Sequence, residues 1–332
     1  MNITSEEIAR LAGVSRSTVS RVINNYPNVP AKTRQRVLKI VEEYDYHPNE
    51  MARALAGKAG SGIGLLLLEQ RFGGLIDTGF VHRMIAELVR ACHDHQGTLS
   101  ICLIRDEQDL RDVELMFQQN KIVGGLFCGF EYEVLRLNDM IRKGYNVAAL
   151  GMRKEDYLDC ENAVYLDFNN EQAGYTATRY LLDQGKKNIL HVAGDDRLSS
   201  VLRQQGYERA MTEAGLKDRI RIARGDFKAG IAGEAAVREL ADYPADAIYA
   251  ANDRMALGVI TALHRRNIRV PEEILVMGCD FLEDQYNVYG VQMPSIIMHR
   301  SQMADTAVKM LLGLQKKENY TSPLKIVRHG AT

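Results

Sequence analysis

The stretch VSRSTVSRVINN, Val14 to Asn25, decides how the N-terminal part of this chain folds. Thr18, Val19, Val22 and Ile23 recur at i, i+1, i+4 and i+5, the spacing of one buried helix face. Ser15 stands where an N-cap is needed, and Asn24-Asn25-Tyr26-Pro27 supplies the stop. The face left outside carries Arg16, Ser17, Ser20 and Arg21, and those four raise the question of what a polar helix start is built to touch.

Upstream, Thr4 and Glu7 stand three apart, as in a capping box, before Ile8, Ala9, Leu11 and Ala12, and Gly13 ends that helix. Downstream, Ala31 to Tyr44 reads as a third helix burying Val37, Leu38, Ile40 and Val41. Two short helices joined by a glycine-containing turn and backed by a third define a helix-turn-helix unit, placed at residues 1–48. The start of the second helix in such a unit enters a major groove, where Arg bonds guanine O6 and N7 and Ser reaches bases or phosphates. An ordinary solvated helix is the alternative on composition alone. Residues 1–61 hold nine Lys and Arg against six acids, although the whole chain carries a net charge of −1, so the basic excess is confined to the end with the exposed arginines.

From Gly62 the pattern changes to strand, helix, strand. Apolar runs at Ile63–Leu68, Leu99–Ile104, Gly124–Cys128, Val147–Leu150, Ile189–Ala193, Ala247–Ala250 and Leu275–Gly278 have the length of buried parallel strands. Helical stretches such as Val81–His95, Gln172–Gln184, Gly206–Glu213 and Met255–Arg266 lie between them. The alternation predicts an α/β core of doubly wound parallel sheets, with ligands beyond the carboxyl ends of the strands. At 332 residues two or three folding units are expected, and the polar segment Lys154–Asn162 is the expected crossing between lobes. The lobes are placed at about 62–162 plus 293–321 and about 163–292 plus 322–332. Residues 49–61 form a hinge or linker, too short for a stable isolated helix, that either stays plain or folds when something orders it.

With 46% hydrophobic and 26% charged residues the chain reads as a soluble globular protein. It has no run of about 18 apolar residues, and MNITSEEIARLAG shows no basic-then-apolar leader, so a cytoplasmic place is expected. Five scattered cysteines, Cys92, Cys102, Cys128, Cys160 and Cys279, predict reduced core residues, with neither a disulfide framework nor a zinc site. No nucleophile elbow, H-E-x-x-H or phosphate loop appears, and no catalytic residue or cofactor is assigned. His93 and His95 flank Asp94 late in a helix and read as a solvated face.

Residues 3–57 resemble the headpiece and hinge of the lactose-repressor and purine-repressor (LacI/GalR) family, through IARLAGVS, STVSRVIN, AKTRQRV, YHPN and ARALAGK in that order. The likeness continues through LHVAG (190–194), AANDRMALG (250–258) and VMGCD (276–280), so it covers essentially the whole chain. It implies a homodimer on a pseudo-palindromic operator in double-stranded DNA, with a small effector between the lobes of a core similar to periplasmic binding proteins. Carried over by position, Arg16 and Ser17 open the recognition helix as base readers, and Ser20 and Arg21 hold phosphates or bases. Thr33 and Asn49 touch phosphates, Leu55 is a minor-groove wedge on a hinge helix, and Thr4, Thr18, Asn24 and Ala52 complete the DNA-contacting set. Bending and unstacking the site cost a few kcal/mol, offset by phosphate contacts and the ordered hinge.

In the core the resemblance assigns Arg203 and Asp280 to grip ligand hydroxyls or polar ring atoms, with Asn252 and Asp253 opening the matching loop-to-helix junction. Phe80 falls where a family loop meets the ligand, and Phe227 at an aromatic position that stacks on a sugar face. Each also has a plain structural reading, Asp280 as a cap, Arg203 in an internal pair and Phe80 in the core. Three departures stand out in the headpiece: Pro30 at a capping Ser position, Glu50 at a basic one, and Glu6 near the first helix start. Gly151 replaces an Asp that many sugar-binding members carry, and Arg153 and Arg197 lie nearby in pocket loops, which favours an anionic effector. The expectation is a sequence-specific transcription regulator, a repressor, controlled by a sugar, sugar acid or sugar phosphate. A purine-like co-repressor, a sugar-binding transport component and a sugar-converting enzyme are the alternatives. After Lys325 the chain shows no leucine heptad tail of the kind that joins two dimers, so a dimer is expected.

Overall fold

The computed structural model describes residues 3–23, 26–44, 62–69, 79–130, 133–281 and 293–328. The chain divides into two units, Met1–Gly60 and Ser61–Thr332. Asn24, Asn49, Ala52 and Leu55 lie outside the described residues.

In the N-terminal unit α1 (Ser5–Ala12) begins with the expected capping box: the Glu7 amide donates to Thr4 Oγ1 at 3.3 Å and the Thr4 amide to Glu7 Oε2 at 2.7 Å. Gly13 ends the helix at φ 61°, a left-handed conformation that suits a residue without Cβ. Helices α2 (Arg16–Ile23) and α3 (Ala31–Glu43) follow, and Ile8, Ala9, Ala12, Val19, Val22, Val29 and Val37 form the core. Thr18 and Ile23 are half-buried at its edge. Leu38, expected inside, is 44% exposed. The stripe of α3 runs through Val37, Ile40 and Val41, and one further residue turns the side chain about 100° off that line. Pro30 precedes α3 without a side-chain cap. Arg34 crosses instead to the end of α2, donating to the carbonyls of Val22 (3.5 Å) and Tyr26.

The second unit holds two sheets. The first runs in the spatial order β11 (Tyr320–Thr321), β5 (Ala163–Asp167), β4 (Val147–Leu150), β3 (Gly124–Cys128), β1 (Gly62–Leu68) and β2 (Thr98–Ile104). The second runs β12 (Leu324–Arg328), β10 (Pro294–Met298), β9 (Leu275–Cys279), β8 (Ala247–Ala250), β6 (Ile189–Ala193) and β7 (Arg221–Arg224). Every pairing is parallel except β10 with β12. Along β1 the run is apolar throughout but splits by period two: Ile63, Leu65 and Leu67 face one core, Leu66 and Leu68 another. Helices α4 (Gly79–Asp94), α7 (Asn170–Asp183), α8 (Leu198–Glu213) and α11 (Arg300–Leu311) pack on one side of the sheets. On the other sides, α5 (Glu107–Gln118) and α6 (Val134–Arg142) cover the first sheet, and α9 (Ala229–Glu239) and α10 (Asp253–His264) the second.

The lobe boundaries differ from those expected. Ala163–Asp167, expected in the second lobe, joins the first sheet, and Pro294–Met298, expected in the first, lies inside the second. Lys154–Asn162 is not a crossing: it holds a 3-10 turn at Lys154–Asp156 before β5. The chain passes between lobes at Phe168–Asn169, at His299 and at Ser322–Pro323. Polarity misled the reading, because a surface turn and an interlobe passage share the same composition. The helix read as Gly206–Glu213 starts eight residues earlier, at Leu198. All five cysteines are free, Cys102 and Cys160 only half-buried. His95, expected on a solvated face, lies just past α4 with Nε2 2.7 Å from Asp305 Oδ1. No helix among the described residues is long and apolar enough to cross a membrane.

Within the second lobe His191 is fully buried, stacked between Tyr207 (5.2 Å) and Tyr249 (4.8 Å), with Nδ1–H donating to the Tyr249 carbonyl at 3.0 Å. Burial holds its pKa down to about 3. The unfolded chain binds this proton below about pH 6.5 while the folded chain stays neutral, so the stability it contributes is complete above pH 6.5 and lost as the pH falls. Between pH 7 and pH 5 the wild type should lose about 2 kcal/mol more than His191→Phe, measured by urea unfolding at both values.

Candidate functional site

Two groups of residues meet the requirements of a site, one in each unit. On α2, Arg16, Ser17, Ser20 and Arg21 are all exposed, and neither arginine makes an ion pair among the described residues. Ser15 Oγ accepts the Thr18 amide at 3.1 Å and lies 2.7 Å from Ser17 Oγ and 2.8 Å from Thr18 Oγ1. The cap therefore fixes the first turn and engages two of the expected contact hydroxyls locally. Thr4 is likewise engaged in its capping box, and Thr33 is half-buried in the first turn of α3. Glu6 is exposed in the first turn of α1, where it favours the helix dipole.

In the larger unit the expected effector residues gather at the carboxyl ends of strands: Arg153 follows β4, Arg197 follows β6, Phe227 follows β7, Asn252 follows β8 and Asp280 follows β9. Arg203, on α8, is 6% exposed. It donates from Nε to Asn170 Oδ1 at 3.0 Å, from one Nη to the Ala251 carbonyl and from the other to Asp280 Oδ1 at 3.3 Å. Gly174 of α7 faces the Arg203 backbone, where a Cβ would collide with the carbonyl oxygen, so the close α7–α8 packing sets where this guanidinium begins. Asp280 sits at φ 103° and Phe281 at φ 51°, two consecutive non-glycine residues in the left-handed region. The Asp280 amide donates to the Ile296 carbonyl (2.9 Å) and the Phe281 amide to Ser295 Oγ (3.2 Å), while Ser295 Oγ donates to buried Asp253 (2.7 Å). Behind them burial pushes the Cys279 thiol up to about 12, so it stays protonated and inert.

The remaining candidates divide. Arg197 is held bidentately by Asp195 at 2.7–3.0 Å and lies 4.9 Å over the Phe227 ring, forming a flat wall. Asn252 Oδ1 accepts the Met255 amide at 2.9 Å and caps α10. Phe80 packs edge-on against Phe168 at 5.5 Å in the other lobe. Arg153, 44% exposed, lies 3.9 Å from Glu155. Gly151 has φ 73°, so backbone conformation accounts for the glycine there. A groove of about 1370 Å³ between α9 and α10 includes none of these residues. No group of three or more His, Cys, Asp or Glu among the described residues could hold a metal.

Asn170, Ser295 and Arg300 were missed by the sequence reading. Arg300, whose guanidinium donates to the Asp280 carbonyl at 2.8 Å, had one available signal: a cation in the first turn of a helix opposes the dipole.

A helix-turn-helix with a polar recognition face, joined to a two-lobed α/β core whose polar residues collect at strand ends, defines a DNA-binding transcription regulator. Residues 4–49 match the family model for bacterial regulatory proteins, lacI family, and residues 178–328 that for a periplasmic binding protein-like domain. The HTH-type transcriptional repressor PurR of Vibrio atlanticus (strain LGP32) is 33% identical over 288 residues, 84% of this chain and 82% of that protein. Catabolite control protein A of Priestia megaterium is 28% identical over 336 residues, 99% of this chain and 97% of that one. The chain belongs to the lacI family of bacterial regulators, whose members are not enzymes. Its fold is also that of the lac repressor dimer bound to operator and the anti-inducer ONPF, with TM-score 0.83 and 23% identity over 99% of this chain and 98% of that one. The transcriptional regulator CelR in complex with cellobiose superposes with TM-score 0.66 at 24% identity over 99% of this chain and 100% of that one.

Removing the Arg203 side chain leaves the Asp280 carboxylate without its cation and the Asn170 amide and Ala251 carbonyl without their donor. Arg203→Ala should cost about 3–5 kcal/mol by urea unfolding.

Proposed function

We propose that this protein is a sequence-specific repressor that binds a pseudo-palindromic operator as a homodimer and whose affinity is set by a small effector held at Arg203 and Asp280. The observation that carries the DNA-binding half is the α2 face, with two exposed guanidinium groups on the second helix of a helix-turn-helix, Arg16 at its start and Arg21 in its last turn. Arg16 and Ser17 open the helix as base readers, Ser20 and Arg21 hold phosphates or bases, and Thr4, Thr18 and Thr33 join them by family position. Asn24, Asn49, Ala52 and Leu55 complete the interface by family position. The effector half is supported by a buried cation at the strand ends, where folds of this kind take ligands. Arg203 and Asp280 offer donors and an acceptor to hydroxyls or ring heteroatoms, and Phe227 under Arg197 offers a flat face; Asn252, Arg153 and Phe80 join them by family position.

Charge does not single out an anionic effector. Arg197 and Arg203 each carry a carboxylate at hydrogen-bond distance, and Glu155 stands beside Arg153, so the excess of cations expected in the pocket loops is balanced. Neutral sugars and flat heterocycles such as purines fit this site as well as sugar acids or sugar phosphates. A ligand that binds one lobe closure better shifts the population, and linkage requires DNA to change effector affinity by the same factor.

Selection from a random duplex library with the full chain, repeated with sugars, sugar acids, sugar phosphates and purines, tests this reading. An enriched palindrome whose affinity responds to one compound class supports it, and absence of any enriched site at moderate salt overturns it. Light scattering at micromolar concentration should give a dimer mass, and a tetramer would contradict it. Arg16→Ala should weaken binding by about 1–3 kcal/mol at one guanine position per half-site, whereas equal loss on every sequence would make Arg16 a phosphate contact.

A further inference from the structure

The Arg203–Asp280 pair is fastened to two of the three crossings between lobes among the described residues. Arg203 Nε donates to Asn170 Oδ1 at 3.0 Å, and Asn170 opens α7 directly after the first crossing. An Arg300 Nη donates to the Asp280 carbonyl at 2.8 Å, and Arg300 opens α11 directly after the second. The line Asn170–Arg203–Asp280–Arg300 is therefore continuous in hydrogen bonds. The third crossing joins the first, because the Ser322 amide donates to the Asp167 carbonyl at 2.8 Å.

Nothing in α11 itself explains Arg300. A guanidinium in the first turn opposes the dipole, and among the described residues this half-buried side chain makes no ion pair and one hydrogen bond, to Asp280. Its target is the strained point of the site. Left-handed conformations at Asp280 and Phe281 are strained for residues with a Cβ and persist only where surrounding bonds over-determine them.

We propose that Arg300 is a positioning residue for the effector grip, with Asn170 as its counterpart at the first crossing. Arg300 pins the Asp280 carbonyl so that the carboxylate meets Arg203, and a ligand that competes for either member of the pair is felt at both crossings without touching them. This role rests on the effector reading above. The hydrogen bonds it invokes are tested without DNA or ligand, so its failure is separate from failure of the duplex selection.

Amide hydrogen exchange on the full chain decides it. In Arg300→Met, which has no side-chain donor, the Asp280 and Phe281 amides, which bond the Ile296 carbonyl and Ser295 Oγ, should exchange at least tenfold faster, with strand β6 unchanged as an internal control. Arg300→Lys should restore slow exchange, since an ammonium still donates to one carbonyl. Asn170→Ala should speed the same two amides through Arg203. The proposal is overturned if Arg300→Met exchanges like the wild type, if Arg300→Lys is as fast as Arg300→Met, or if Asn170→Ala leaves the two amides unmoved.

Discussion

A guanidinium buried to 6% exposure sets the terms for the core of this protein. A charge in that setting is tolerable only when paired and hydrogen-bonded, and Arg203 meets the demand with a carboxylate and a backbone carbonyl from two loops and a side-chain amide from the start of α7. Asp280 must turn into a left-handed conformation at the end of β9 to be one of them, and that turn needs Ser295, Asp253 and Ile296 to hold it. The ends of β8, β9 and α7 thus share one origin.

The two sheets explain why such a group sits where it does. Parallel strands covered by helices on both faces have no exposed face on which to place polar chemistry, so it collects in the loops beyond the strand ends. The second lobe supplies most of it, through loops after β6, β7, β8 and β9, while the first contributes Arg153. Among the described residues the chain passes between lobes three times, and two passages are bonded to the Arg203–Asp280 pair. The pair and the two passages are linked through ordinary hydrogen bonds.

The headpiece follows a different economy. Seven buried side chains, mostly Val and Ala, make a small core, and stability there depends on local devices such as the capping box at Thr4 and the Ser15 cap. Those same caps tie up the hydroxyls of Thr4, Ser17 and Thr18, leaving Arg16 and Arg21 as the side chains on α2 that present undiminished charge. Much of this was readable beforehand, because caps and a short amphipathic stripe are local. Leu38 was misread because a run of apolar residues does not say which of two neighbours lies on the helix's inner line. The core strands with continuous apolar runs were legible for the same reason, whereas Ala163–Asp167 was not picked out and edge strand Arg221–Arg224, with arginines exposed at both ends, has no apolar run to see.

By itself the sequence determined the alternation of strand and helix in the core with the seven apolar strands, the helix-turn-helix with its outward arginines, and, through family resemblance, Arg203 and Asp280. These are properties of spacing and residue type, which act within a few positions along the chain. Tertiary structure alone decided which strand belongs to which lobe, where the chain crosses, and that Asn170, Ser295 and Arg300 converge on the Arg203–Asp280 pair. Asn170 and Arg300 are 130 residues apart, and no local rule connects them. They meet because a buried charge and a strained turn require bonds from whatever segment the packing of two sheets brings within reach.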